Sequence, residues 1–142
     1  MTKEYIAQIS ILINAESAAV WDALTNPELI KQYLFGTETI SDWKVGSRIT
    51  YRGVWEGKTY EDGGVILKFE PEKILSATYW SSMSGTEDIP ENYCTITYSL
   101  EKESGGTLLT IQQDKCKTEE ARDHSEKNWG MVLQSLKSIL EK

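Results

Sequence analysis

The stretch VWDALTNPELIKQYLFG, residues 20–36, decides how the chain is read. Val20, Trp21 and Leu24 recur at helical spacing, so its first half presents one apolar face. Asn26 is a good N-cap, and Pro27 suits the first position of a new helix, where a missing N–H costs nothing. Leu29, Ile30 and Tyr33 form a second apolar stripe, which Gly36 ends. The spacing predicts two short helices jointed at Asn26–Pro27.

Before the joint, residues 5–13 alternate as a strand, with Tyr5, Ala7, Ile9, Ile11 and Ile13 on one face. After it, period-two runs predict strands over 47–55, 64–69, 74–80, 93–100 and 107–113, with a short strand over 37–43 as an option. Turn formers separate them at Val45-Gly46, Glu61-Asp62-Gly63, Glu70-Pro71-Glu72 and Ser104-Gly105-Gly106. Short loops with this patterning indicate an antiparallel meander. The period changes at Thr118, a cap followed by Glu119 and Glu120, where the helix dipole favours acid. From there Trp129, Val132, Leu133, Leu136, Ile139 and Leu140 follow 3.6-residue spacing. The expected fold is α+β: a curved antiparallel sheet of six or seven strands around a long C-terminal helix, with residues 1–142 as one domain.

Composition narrows the partners. Fifteen basic and twenty-two acidic side chains leave a formal charge of −7. That field repels phosphate backbones and anionic membrane surfaces, and no Lys/Arg cluster breaks it. No apolar run approaches the roughly 18 residues of a membrane span. The start, MTKEYIAQISILI, carries polar residues within its apolar stretch and no small-residue cleavage site, so it reads as a strand and not a signal peptide. A cytoplasmic location is expected, with neither nucleic acid nor membrane as partner.

Two cysteines flank a hairpin around Ser104-Gly105-Gly106. If Leu100 faces Leu109 and Tyr98 faces Ile111, the apolar residues share one face, as a half-buried sheet requires. That register sets Cys94 opposite Lys115, so Cys94 and Cys116 point to opposite faces and are read as thiols in a reducing compartment. No metal-ligand spacing surrounds either one.

The order strand, two helices, strands, long helix resembles the helix-grip fold of the START-like superfamily, which includes the birch-pollen allergen. VWDALTNPELIKQYLFG is similar to the signature Val-Trp-x-Ala-Leu-Thr-x-Pro, with Tyr33-Leu34-Phe35-Gly36 in place of the usual aromatic ending. VGSRITYRG, GGVILKFEPEKILSATY, GGTLLTIQQ and NWGMVLQSLKSIL are similar, in order, to four later motifs, with Asn128 replacing a glycine in the last. Together they resemble bacterial homologues of the heat-shock-protein-ninety ATPase activator, in their carboxy-terminal-domain form. The resemblance implies that the jointed helices cradle the far end of the long helix. It also implies a site between sheet and helix: superfamily members bind lipids, hormones or aromatic polyketides there, and a minority are cyclases. The activator resemblance implies a chaperone or other protein as an alternative partner.

His124 is the sole histidine. It lies four residues after Glu120, which suits a surface pair, and five before Trp129, which would lean it towards the mouth of the grip. No motif marks a nucleophile or an oriented acid beside it, and one histidine with dispersed carboxylates offers no metal ligand set. The acids of YEDGG and GTEDIPEN accompany turn formers and read as solvated turns. The aromatics say more: five Trp and seven Tyr against two Phe. Ile49, Tyr51 and Trp55 share one strand face with Gly53 between them, Tyr79 and Tyr98 read inward, and Trp129 faces the sheet. A dry core packed with large side chains explains any one of these, but a set rich in hydroxyl and indole donors fits a cavity better. Gly130 beside Trp129 reads either as close helix–sheet approach or as room for a ligand. The candidate cavity set is therefore Tyr51, Trp55, Tyr79, Tyr98, His124, Trp129 and Gly130. The expected function is a non-catalytic module holding an apolar or aromatic small molecule, without cofactor. The rivals are a co-chaperone-like protein-binding module and a polyketide-cyclase-like enzyme, whose acid–base pair would have to include His124.

Overall fold

The structure, a computed structural model, describes residues 5–34, 36–82 and 85–141, and the side chain of Trp55 lies outside that description. Phe35, in the aromatic ending of the jointed stretch, also lies outside it. The chain runs β1 (Tyr5–Ile13), α1 (Ser17–Thr25), α2 (Pro27–Tyr33), β2 (Glu38–Ser41), β3 (Arg48–Trp55), β4 (Lys58–Glu70), β5 (Ile74–Tyr79), β6 (Cys94–Glu103), β7 (Gly106–Cys116) and α3 (Glu119–Leu140). Seven antiparallel strands form one curved sheet in the order β1-β7-β6-β5-β4-β3-β2, and α3 packs across β1 and β7. This is the helix-grip arrangement expected from the sequence.

The joint forms as its chemistry requires. The Asn26 side chain accepts from the Glu28 N–H at 3.0 Å, and Pro27 opens α2. Val20, Trp21, Leu24, Ile30 and Tyr33 are buried. The Tyr33 hydroxyl donates to the Ala23 carbonyl at 2.8 Å, tying the two helices together. Trp21 meets Phe69 of β4 edge-on at 5.2 Å, which fixes the joint to the sheet. At the other end of the chain, the Thr118 hydroxyl accepts from the Ala121 N–H and caps α3, whose Leu133 and Leu136 enter the core.

The sheet departs from the sequence expectation in two places. Glu61-Asp62-Gly63 is not a turn. The chain reverses earlier, at Glu56-Gly57, where both residues have positive φ and Trp55 pairs with Lys58 in a two-residue hairpin. Strand β4 therefore runs through Asp62 and on past Gly63 and Gly64. Here the backbones crowd: a Cβ on Gly63 would fall 2.2 Å from the Ile49 carbonyl oxygen, and one on Gly64 would fall 2.0 Å from that of Thr78. Gly63 also exchanges two backbone hydrogen bonds with Trp80, at 3.0 and 2.9 Å. Glycine at these positions lets β4 pass between β3 and β5 where the sheet bends.

The second departure is at the far end of the hairpin. Leu100 faces Leu109 and Tyr98 faces Ile111, as expected. Beyond Gln113 the pattern breaks: Lys115 has a positive φ, and the β1–β7 register shifts so that Ala7 faces Gln113 but Tyr5 faces Cys116. This bulge turns Cys116 onto the face shared by Tyr5 and Gln113, on the side of α3. Cys94, in phase with Ile96 and Tyr98 on β6, packs against the hydrophobic core, and Cys116 is buried after the bulge, so the two cysteines do not point to opposite faces. Both are thiols. Burial, with the Asp114 carboxylate adding to it, pushes the Cys94 thiol up to about 11.

Strand β1 is an edge strand, and side chains of α3 and of Glu141 just after it bond to backbone groups along its outer margin. The Gln8 N–H donates to the Glu126 carboxylate and the Asn14 N–H to that of Glu141, each at 2.9 Å. The Lys137 ammonium donates to the Leu12 carbonyl at 2.9 Å and pairs with Glu141. Gly130 belongs to this contact: a Cβ there would sit 3.1 Å from Ile9 Cδ1, so it serves close approach to β1.

Three substitutions test this packing. Trp21→Ala is expected to cost about 3–5 kcal/mol, the range for a large buried aromatic; denaturant unfolding measures it, and a loss under about 1 kcal/mol would contradict the placement. Gly130→Leu is expected to cost about 1–3 kcal/mol by overpacking against Ile9. In the same measurement Gly130→Ala should stay within about 1 kcal/mol of the parent, because helix propensity offsets the small displacement of Ile9 Cδ1.

Candidate functional site: a cavity between sheet and helix

The concave face of the sheet and α3 do not close completely on each other. They leave a cavity of about 430 Å³. Its sheet wall comes from successive inward positions: Tyr51 on β3, Asp62 on β4, Tyr79 on β5, Ile96 and Tyr98 on β6, and Gln113 on β7. Trp129 of α3 forms the helix wall, while Leu34 and Thr37 close the end beneath the jointed helices and Tyr60 flanks them.

The aromatic rings are held in place by one another. Tyr98 and Trp129 meet edge-on with centroids 6.1 Å apart, and the Trp129 indole N–H donates to the Gln113 side-chain oxygen at 2.9 Å. Tyr51 and Tyr79 lie 6.1 Å apart at a 59° tilt. The hydroxyls divide into two groups. The Tyr79 hydroxyl donates to Asp62 Oδ2 at 2.9 Å, and that of Tyr60 lies 2.6 Å from the Thr37 hydroxyl, which itself donates to the Leu34 carbonyl at 2.7 Å. The hydroxyls of Tyr51 and Tyr98 have no hydrogen-bond partner among the described residues, and both residues line the cavity. Burial raises the phenol pKa of Tyr33, Tyr51, Tyr79 and Tyr98, and the neighbouring Asp62 carboxylate raises Tyr79 further. All four are neutral donors at physiological pH.

Of the residues expected to line a cavity, the structure brings Tyr51, Tyr79, Tyr98 and Trp129 together. The side chain of Trp55 lies outside the described residues. His124 is exposed on α3 and is not among the lining residues, so the lean towards the mouth of the grip is corrected. Gly130 faces Ile9 and not the cavity, because its turn of α3 is pressed onto β1. Asp62 is the main residue that the sequence reading missed. It is buried at 8% exposure, not solvated, and accepts from the Ser82 N–H and hydroxyl at 2.9 and 3.1 Å as well as from Tyr79. Gln113 was legible in principle, as a polar residue in inward phase with Leu109 and Ile111. Among the described residues no cluster of three or more His, Cys, Asp or Glu side chains could hold a metal ion, and no helix is long and apolar enough to cross a membrane.

Comparison with known proteins places the whole arrangement. Residues 14–141 match the family model described as Activator of Hsp90 ATPase homolog 1-like protein. The chain belongs to this family. The solution structure of ChR145 from Cytophaga hutchinsonii is similar at 45% identity and a TM-score of 0.87, over 99% of this chain and 96% of that one. An Aha1 dimer from Colwellia psychrerythraea, also solved in solution, aligns over 96% of both chains at 21% identity and a TM-score of 0.75. CalU16 from Micromonospora echinospora aligns over 99% of this chain and 86% of that one, at 21% identity and a TM-score of 0.73. The last two likenesses concern the fold alone. Comparison with curated proteins gave no match.

In this member of the activator-like family, the tyrosines make stability depend on alkaline pH. Their phenol pKa values are raised above the ordinary value of about 10, so the folded state holds these protons more tightly than the unfolded one. The stabilisation is complete below about pH 10 and is lost as pH rises through the folded values. Ultraviolet titration of tyrosinate, followed alongside circular dichroism, should show Tyr33, Tyr51, Tyr79 and Tyr98 ionising only as the protein unfolds. Reversible ionisation of all seven tyrosines in the folded protein would contradict the burial described.

Proposed function

We propose that the protein is a binding module that holds an apolar or aromatic small molecule between sheet and helix, without catalysing its conversion. The observation that carries this reading is the cavity itself: about 430 Å³, walled by aromatic rings, with two tyrosine hydroxyls that have no partner among the described residues. Neither hydroxyl is among the buried polar atoms left without a partner, so both open onto the cavity, where water or a ligand can reach them; a sequence selected only for a packed core would place phenylalanine at Tyr51 and Tyr98. The volume falls in the range of roughly 300–1,000 Å³ typical of small-molecule sites, and a mostly apolar lining with a few convergent polar groups is the usual composition of such sites. A chaperone or another protein is the alternative partner that family membership suggests.

An apolar fluorescent probe such as anilinonaphthalene sulfonamide, an uncharged dye, is expected to bind the fully folded protein with one-to-one stoichiometry. Leu34→Trp fills the cavity from the end of α2, where the backbone is not helical and the side chain is only half-buried. This variant should lose at least about tenfold in probe affinity while keeping its cooperative unfolding transition. Ile96→Phe, which adds bulk from the sheet wall, serves as the second filling variant. A folded parent protein that does not bind the probe would overturn the reading.

A further inference from the structure

The lining also states what kind of molecule the cavity takes, an inference that rests on the binding reading above and deepens it. Two features of the wall decide it. The first is the pair of free donors. Tyr51 and Tyr98 stand on rings fixed by Tyr79 and Trp129 respectively, and burial keeps both phenols protonated. A phenol donates a hydrogen bond better than it accepts one, so the complementary group is an acceptor. The second is the sign of the charge. Among the described residues, Asp62 is the one carboxylate in the lining, and no lysine, arginine or histidine accompanies it. Three donors already hold it, the Tyr79 hydroxyl and the Ser82 N–H and hydroxyl, which leaves about one lone pair free on Oδ2. Lys31 and Arg52 line a separate outer groove, which shares Val54 and Tyr60 with the cavity. An anionic group inside the cavity would be buried without a cation and would face a carboxylate.

We infer that the cavity selects neutral aromatic molecules that carry carbonyl-type acceptors, and rejects compact anions. Tyr51 and Tyr98 supply the hydrogen bonds to the acceptor oxygens. Ile96, Leu34 and Trp129 supply the apolar contact. Asp62 discriminates against carboxylates by repulsion, and its free lone pair tolerates a ligand hydroxyl.

Three rigid three-ring probes of nearly equal size separate these statements: fluorene, fluorenone and fluorenone carboxylate, with affinities measured by isothermal titration calorimetry at neutral pH. Fluorenone is expected to bind about tenfold more tightly than fluorene, the worth of one or two buried hydrogen bonds. The carboxylate is expected to bind at least about tenfold more weakly than fluorenone. In the Tyr51→Phe/Tyr98→Phe double variant, fluorene should bind as before while fluorenone falls to the same level. Asp62→Asn should recover part of the carboxylate affinity. The inference is overturned if the carboxylate binds as tightly as fluorenone, or if the fluorenone preference survives in the double variant. Binding of fluorene with no preference for fluorenone overturns the inference and leaves the binding module standing. Failure of all three probes on the folded parent removes both.

Discussion

At Gly63 and Gly64 the backbone of β4 passes so close to its neighbours that no side chain fits. The rest of the site depends on that contact. It lets one strand pair with β3 along its first half and with β5 along its second, so the sheet can bend around α3 and need not lie flat. The bend also determines what stands next to what. Asp62, one residue before the double glycine, comes within hydrogen-bond distance of Tyr79 and Ser82, which belong to the strand after the bend and the segment that follows it. A charged residue thus enters the concave face at the point where the sheet is most crowded, and its partners are supplied by the same curvature.

The grip is packed at one end and hollow at the other. Leu133 and Leu136, in the second half of α3, are buried with Ile13, Val20, Leu109 and Ile111. About a turn earlier on the helix, Trp129 meets Tyr98 and Gln113 across the cavity wall. The residues preceding Trp129 are mostly polar and bring little apolar surface towards the sheet. This division is written in the helix: six turns of α-helix, of which only the latter half carries a sustained apolar face. The tyrosines differ in how their hydroxyls are used. Tyr33 spends its hydroxyl on a backbone carbonyl, whereas those of Tyr51 and Tyr98, which line the cavity, have no partner among the described residues.

Local signals carried most of the architecture. The Asn26–Pro27 joint, the alternation of β1, the Leu100–Leu109 register and the period of α3 each follow from short-range rules, and each stands in the structure as read. Where the reading failed, one residue type served two physical ends. Glu61-Asp62-Gly63 has the composition of a turn, yet the glycine serves close backbone approach and the acid is buried by the bend. The true turn, Glu56-Gly57, carries a weaker signal because glutamate is not a typical residue for positive φ. The bulge at Lys115 left no mark in the hydrophobic pattern, and it moved Cys116 to the other face. Gly130 was ambiguous for a different reason. Helical spacing places it beside Trp129, but the cavity and β1 lie on neighbouring sides of the same turn, and spacing alone does not distinguish them.

The covering of β1 by α3 constrains how this chain can meet copies of itself. A bare edge strand is a template for another strand, and β1 is long enough to serve as one. Glu126, Lys137 and Glu141 occupy three of the backbone groups that such a template would offer. The opposite edge, β2, has only four residues. Self-association by extending the sheet is therefore discouraged at both margins, and contact between copies is left to side-chain surfaces. The same helix that roofs the cavity thus also guards the margin of the sheet, so a truncation that removes α3 would expose a hollow and an adhesive edge at once.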